Sequence, residues 1–246
     1  MVAQRLPWLV ATVVAVHAET PATRTIVLDA QGWTGHLAGQ HVDLRLTAPD
    51  GYSTQRSYSI ASPTDRSRLE LTVQRVPEGE VSPYLVDELS VGDQLELRGP
   101  IGGWFVWRPR ETAPMLLIAG GSGVVPLMAM VRDRARVQSS APFMFVYSVR
   151  SPAEVYYADE LARLAHQDSG LDVNVLYTRS GVENGPRAPG RITADDLKAS
   201  GWAPEDVDRT YVCGPTGFVE AVVMLLLAQG HDSASIRTER FGPTGG

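Results

Sequence analysis

Polar and apolar residues alternate with a period of two along the first part of the chain. His41-Val42-Asp43-Leu44-Arg45-Leu46 is the clearest case. Every second side chain is aliphatic, which puts one face of an extended segment on a core and the other in water. Similar short runs occupy Trp8–Val16, Arg24–Asp29, His41–Thr47, Arg68–Gln74 and Gln94–Arg98, separated by Gly, Pro and Asp. Five or six such strands predict a small antiparallel β-barrel. A helical piece interrupts at Pro83–Leu89, with Ser82 as N-cap and Pro83 at the first helical position. Beyond Arg108-Pro109-Arg110 the rhythm changes. Strand-like segments at Met115–Ala119, Pro142–Ser148, Leu171–Tyr177 and Arg209–Cys213 alternate with helical patterns at Val124–Val137, Tyr157–His166, Ala194–Ala199 and Gly217–Gln229. That alternation predicts a parallel sheet with helices on both faces. The expected organisation is two-domain: an antiparallel β-barrel over residues 1–108, then an α/β parallel-sheet domain over 109–246.

One extended stretch breaks the alternation. Residues 55–62 read QRSYSIAS, with Arg56 and Tyr58 on one side of the chain and Ser57 and Ser59 on the other. A half-buried strand needs one apolar face, and here neither face is apolar. These side chains therefore raise the question of what they look at.

Composition narrows the answer. The 246 residues are 43% hydrophobic and carry a formal net charge of −6, and both halves are mildly acidic. Nucleic acid is excluded as the main partner, because phosphate binding wants a basic surface. With Cys213 as the one cysteine, an internal disulfide and a four-thiolate iron–sulfur cluster are both excluded, and the five histidines show no metal-ligand spacing. The N-terminal run MVAQRLPWLVATVVAVHA has the outline of a secretory signal, but it has one Arg, Pro7 opens its apolar part, and it is rich in β-branched residues. It reads as a barrel strand. The other apolar run, Ala221 to Ala228, falls short of the ~20 residues of a membrane span. A soluble, cytoplasmic protein is expected.

The second half opens with MLLIAGGSGVVPLMAM, a buried strand entering Gly120-Gly121-Ser122-Gly123 before a helix. Glycines there allow the backbone to approach a pyrophosphate at a helix N-terminus. They also fit a tight strand-to-helix turn with no ligand. The pattern is Gly-x-Gly-x-x-Pro, ending on Pro126, and lacks the Lys-Ser/Thr of a P-loop. Tyr211-Val212-Cys213-Gly214-Pro215 ends another parallel strand, so Cys213 faces the crevice at the strands' carboxyl ends. By spacing alone it reads as a buried structural cysteine. Arg150 and Arg179 follow two further strands, with Arg187 and Arg191 in the next loop. A guanidinium suits a ribose 2′-phosphate, and equally a solvated surface. Arg132, Arg134 and Arg136 on the helix after the glycine loop read as a solvated face.

Taken in order, Arg56-Ser57-Tyr58-Ser59, Gly79-Glu80-Val81-Ser82, Gly99-Pro100-Ile101-Gly102, the glycine loop, Cys213-Gly214-Pro215 and the terminal Glu239-Arg240-Phe241 resemble the ferredoxin–NADP reductase superfamily. The resemblance runs over nearly the whole chain and leans towards stand-alone bacterial reductases close to flavohaemoglobin-type modules. It implies that Arg56 pairs with the diphosphate of FAD, Tyr58 stacks on the isoalloxazine and Ser59 hydrogen-bonds near flavin N5. Ser57, Val73 and Val81 complete the flavin lining, and Gly79 to Ser82 form its phosphate turn. It further implies that Gly121, Ser122 and Gly123 hold the nicotinamide dinucleotide with Gly214 and Pro215, that Cys213 lies near the nicotinamide, and that Phe241 covers the flavin. Arg150, Thr178 and Arg179 would take the 2′-phosphate, favouring NADPH over NADH. Ser59, Cys213 and Glu239 would be the catalytic group, with no metal. The polar faces of QRSYSIAS would then look at cofactor.

The implied chemistry is a hydride passed from NAD(P)H to FAD, followed by single electrons to an acceptor. No cysteine-rich cluster domain is seen in the sequence, so a separate acceptor protein is expected, foremost a ferredoxin serving an oxygenase or P450. The alternatives are a flavin or ferric reductase acting on diffusible small molecules, and a non-catalytic regulatory subunit that keeps the fold. Loss of Arg56, Tyr58 or the glycine loop would favour the last, and all are present.

Overall fold

The computed structural model describes residues 6–64, 68–183, 185, 187–198 and 201–242. The chain divides into two compact units, one of Met1–Arg108 with Met128–Asp133, the other of Pro109–Leu127 with Arg134–Gly246.

The first unit contains six strands among the described residues: β1 (Leu9–Thr20), β2 (Thr23–Ala30), β3 (His41–Thr47), β4 (Ser53–Ser59), β5 (Leu69–Gln74) and β6 (Gln94–Ile101). They form one antiparallel sheet in the order β4-β3-β6-β1-β2-β5. A bridge between Ile60, just past β4, and Leu71 of β5 brings the two edge strands together, as a barrel requires. The alternation seen in β3 does what it predicts: Val42 and Leu44 are fully buried among Ile26, Leu28, Leu71, Leu85 and Leu97. The β1 run reaches Thr20, four residues past its apolar core, because its outer end still pairs with β2.

Two local expectations are corrected. The segment after Ser82 is a π-helical turn over Tyr84–Glu88, in which the Leu89 N–H reaches the Tyr84 carbonyl five residues back. Ser82 does not cap it through its side chain. Its hydroxyl accepts instead from the Val76 N–H at 3.0 Å, closing the turn that contains Gly79.

The second unit is a parallel five-stranded sheet, with β7 (Met115–Gly120), β8 (Phe143–Val149), β9 (Leu171–Tyr177), β10 (Arg209–Pro215) and β11 (Ile236–Phe241) in the order β11-β10-β7-β8-β9. Strands β7 and β8 are buried at every position, as befits a sheet covered on both sides. The helices are α1 (Val124–Arg136), α2 (Ala158–Gln167), α3 (Ala194–Lys198) and α4 (Thr216–Ala228). Residue Ala199, expected to end α3, lies outside the described residues. A core of Ile118, Val146, Val212, Val219, Val222 and Leu226 joins sheet and α4.

The arginines of α1 are not a solvated face. Arg134 is 2% exposed; it donates to the Ala141 carbonyl at 2.5 Å and pairs with Asp168. Within the first unit, Arg132 bonds the Ala61 carbonyl at 2.8 Å and Glu70 at 2.9 Å. Only Arg136 of the three is exposed. Fixed carboxylates and carbonyls at the right places make burial of guanidinium tolerable.

Candidate cofactor sites

In the first unit the unusual stretch is β4 itself, an outer strand paired with β3 in the register Ser59 to His41, Tyr58 to Val42, Ser57 to Asp43 and Arg56 to Leu44. The pleat separates its side chains into two sets. Tyr58 packs against the barrel core to which Val73 and Val81 belong. Burial pushes its phenol up to about 12, against the opposing pull of Arg56, so it stays neutral. Arg56 is exposed on the same side. Its guanidinium donates to the Gln55 carbonyl at 2.7 Å and to Thr54 Oγ1 at 3.2 Å, and approaches Glu80 at 3.5 Å.

Glu80 lies in the Gly79–Ser82 turn. That turn is tied by the Gly79 N–H to the Val76 carbonyl at 2.9 Å and runs into the π-helical turn through the Leu85 N–H to Val81 carbonyl bond. The structure therefore brings Arg56 and the turn together, with Tyr58, Val73 and Val81 on one core.

Ser57 is not part of that group. Its hydroxyl donates to Asp43 at 2.6 Å, and Asp43 in turn receives two bonds from Arg98. Burial alone would raise the Asp43 carboxyl, but the bonds from Ser57 and Arg98 hold it below its ordinary value. Ser59 is different again. It is 6% exposed, and its hydroxyl has no hydrogen-bond partner among the described residues. A buried hydroxyl left unsatisfied costs free energy unless a ligand completes it. This orphaned donor, a neutral aromatic ring and a half-exposed guanidinium are the set that a flavin dinucleotide needs, so the residues present fit FAD.

In the second unit all five strands run parallel, so their carboxyl ends share one edge of the sheet. Pro215 lies in register with Phe241, and Cys213 with both Glu239 and Ala119. Gly121, Ser122 and Gly123 form a short 3-10 turn between β7 and α1 on that edge. The two readings of these glycines separate by position. A Cβ on Gly123 would sit 2.1 Å from the Cys213 carbonyl oxygen, so this glycine is demanded by packing. Gly121 has φ +53° with nothing within 4 Å of a built Cβ, which leaves open space beside the turn.

Arg150 follows β8 on the same edge and Thr178-Arg179 follow β9. The N–H groups of Arg179 and Ser180 both donate to the Arg150 carbonyl, at 2.9 and 3.1 Å, tying the loops together. The Arg150 side chain makes a long 3.8 Å pair with Glu154. Arg179 is exposed, and its guanidinium has no partner among the described residues. Arg187, by contrast, is a structural pin. It binds Asp196 twice, at 2.5 and 2.9 Å, and three loop carbonyls besides.

Cys213 has no exposed surface, and burial first, then the Glu239 carboxylate, pushes its thiol well above its ordinary value. It is a neutral thiol, unsuited to nucleophilic work. Burial also raises Glu239 to about 7, which makes it able to hold or release a proton near neutrality.

Sequence reasoning missed Tyr52 and Thr54 as partners of Glu80, Asp43 as partner of Ser57, and Phe218, whose ring lies against Gly120 and Gly214. Thr54 had a signal, since it is two residues from Arg56 on an extended chain; the others depend on contacts distant in sequence. Among the described residues no cluster of His, Cys, Asp and Glu could hold a metal, and no helix is long and apolar enough to cross a membrane.

Residues 11–106 match the family model described as the oxidoreductase FAD-binding domain, and residues 117–224 the oxidoreductase NAD-binding domain. The chain is 31% identical over 242 residues to the ferredoxin–NAD(P)(+) reductase component of the naphthalene 1,2-dioxygenase/salicylate 5-hydroxylase systems of a Ralstonia species, covering 95% of this chain and 69% of that protein. Among solved structures, a cytochrome P450 reductase from Amycolatopsis superposes with a TM-score of 0.84 at 30% identity, over 100% of this chain and 73% of that one. The flavohaem-like FAD/NAD-binding domain of a nitric oxide dioxygenase from Vibrio cholerae superposes with a TM-score of 0.82 at 28% identity, over 97% and 100%.

Proposed function

The chain belongs to the ferredoxin–NADP reductase superfamily and is an FAD-dependent NAD(P)H oxidoreductase; from that membership we propose that it passes reducing equivalents to a separate acceptor protein, a ferredoxin serving an oxygenase or P450. The single observation that carries the site assignment is the Ser59 hydroxyl at the end of β4, buried and unpartnered among the described residues, three residues from a half-exposed arginine. A relative that serves as a dioxygenase-system reductase supports the choice of acceptor. The flavin module is taken as residues 1–108 and the nucleotide module as 109–246, in a cytoplasmic protein.

When bound, FAD accepts a hydride from NAD(P)H and gives up electrons singly. The chain's own residues bind and orient. Arg56 holds the diphosphate by charge-assisted hydrogen bonds, Tyr58 offers a ring face, Val73 and Val81 back it, and Ser59 supplies a donor to a ring nitrogen. The Gly79–Ser82 turn closes on the diphosphate. On the nucleotide side the open space beside Gly121 admits a pyrophosphate, with Ser122, Gly123, Gly214 and Pro215 shaping the approach. Arg179 and Thr178, with Arg150 behind them, take a ribose 2′-phosphate, which favours NADPH. The neutral thiol of Cys213 gives the crevice floor its shape without ionising. Glu239 holds a proton at its carboxyl, and Phe241, in register with Pro215, closes that edge of the crevice.

The test is an absorption spectrum of the purified protein before and after anaerobic NADPH and NADH, followed by cytochrome c reduction with and without added ferredoxin. A flavin spectrum bleached faster by NADPH, and cytochrome c reduction that depends on ferredoxin, is the expected result. Reduction of free flavin or ferric complexes at the same rate without ferredoxin would replace the acceptor by a small molecule. A colourless protein that takes up no FAD would remove the flavin site.

A further inference from the structure

In the first unit, three donors converge on one carboxylate. Tyr52 Oη donates to Glu80 Oε1 at 3.2 Å, Thr54 Oγ1 donates to Oε2 at 3.3 Å, and Arg56 Nη2 approaches Oε2 at 3.5 Å. Thr54 and Arg56 share a face of β4, and Tyr52 stands just before the strand. Arg56 Nη1 is held separately by Thr54 Oγ1 and the Gln55 carbonyl, so the guanidinium keeps its direction without Glu80. A cation flanked by two hydroxyls is a site for an anion in general, and the chain fills it with an anion of its own. The hold is weak. The ion pair is long, and its side chains are 47% and 53% exposed, where such pairs contribute little. Glu80 also rides on the turn between Val76 and Ser82, and its side chain is free to swing outward without loss of the turn's own bonds, Gly79 N–H to Val76 carbonyl and Val76 N–H to Ser82 Oγ.

We infer that Glu80 is an internal competitor for the Arg56 anion site: the diphosphate of FAD must displace its carboxylate, and Glu80 thereby sets how tightly the protein retains its flavin. The inference rests on the assignment of Arg56 to the diphosphate. Two effects act in the same direction. The bonds from Tyr52, Thr54 and Arg56 must be given up by Glu80 before a phosphate can take them. Once displaced, the carboxylate remains a like charge near the phosphates, and salt screens that repulsion.

The experiment uses the full-length holoprotein and reads flavin released on dilution by the recovery of free FAD fluorescence, which gives a dissociation constant independent of turnover. Glu80→Gln is expected to retain FAD about three- to tenfold more tightly at low salt, with a smaller gain at high salt. Glu80→Ala is expected to shift in the same direction, which guards against new bonds made by the amide. Riboflavin, which has no phosphate, is expected to bind equally to wild type and both variants. Arg56→Gln is the control and is expected to weaken FAD. If Arg56→Gln weakens FAD while both Glu80 variants leave it unchanged or weaken it, the competitor role is overturned and the Arg56 assignment stands. A gain that is the same for riboflavin also overturns it. If Arg56→Gln leaves FAD retention unchanged, the diphosphate assignment falls and the inference falls with it.

Discussion

Glu239 and Cys213 stand side by side on adjacent parallel strands, and lack of water governs both. The Glu239 carboxyl ionises near 4.5 in an unfolded chain but about 7 in the fold. Between those values the native state holds a proton that the unfolded state has released. The contribution to stability is therefore greatest below about 4.5, falls as pH rises, and is level above about 7. Glu239→Gln is expected to flatten that slope, read as denaturation midpoints across the range. The Arg179 guanidinium makes no bond among the described residues, and its backbone N–H bond to Arg150 survives truncation of the side chain, so the substitution leaves the loop intact and tests ligand chemistry alone. Arg179→Ala should raise KM for NADPH about tenfold or more while moving KM for NADH little, since a lost charge-assisted bond costs about 1.5–3 kcal/mol. Equal effects on both would remove Arg179 from the 2′-phosphate site. At this scale the stretch around Arg56 and Tyr58 stood out in the sequence because neither of its faces is apolar. Partners far along the chain stayed hidden: Asp43 for Ser57, and Asp168 for Arg134, which is buried where a solvated face was expected.

Among elements, strands with an apolar face announced themselves, and β9 was legible to the residue. Strand β4 was not placed among the strands because its polar faces violate the pattern, and neither was β11, whose residues entered only as a motif of the family resemblance. Arg237, Thr238 and Glu239 give β11 no alternation, and only pairing with β10 makes it a strand. The π-helical turn after Ser82 carries no local signature that separates it from an α-helix. The glycine turn between β7 and α1 was legible as a turn, yet the need for Gly123 arises from β10, some ninety residues on. Gly123→Ala drives a Cβ into the Cys213 carbonyl, a backbone atom that cannot rotate away. The expected cost is about 1–3 kcal/mol or more, with weakened nucleotide binding, read by thermal melting and NADP+ titration. Full stability in this variant would show that the turn can move off β10.

At the scale of the whole molecule, the described residues include two hydrophobic cores, one built from residues 11–97 and the other from residues 116–236. The change of rhythm near Arg108 announced that much, because a period of two gave way to alternating strands and helices. The order of strands within each sheet was not readable, since a hydrophobic pattern states which face is buried and not which neighbour is paired. A ligand that binds only the folded chain stabilises it by mass action, about 2.7 kcal/mol at a hundredfold excess over Kd. FAD at that excess should therefore raise Tm of the flavin-free protein by about 5–10 °C. Riboflavin at the same excess over FAD's Kd should do less, because it leaves Arg56 with Glu80. An unchanged Tm with FAD would mean that the barrel does not hold it.

Cys213 also turns the second unit into its own stopwatch. It is the chain's single thiol, it has no exposed surface, and β10 is laced to β7 on one side and β11 on the other. A thiol reagent finds no target until those ladders part, so the rate of modification in native buffer counts opening events of that sheet. The folded protein should take up label slowly and the denatured chain at once, one label each. Saturating NADP+ should lengthen the interval between openings, giving a reading of nucleotide binding that needs neither flavin nor turnover.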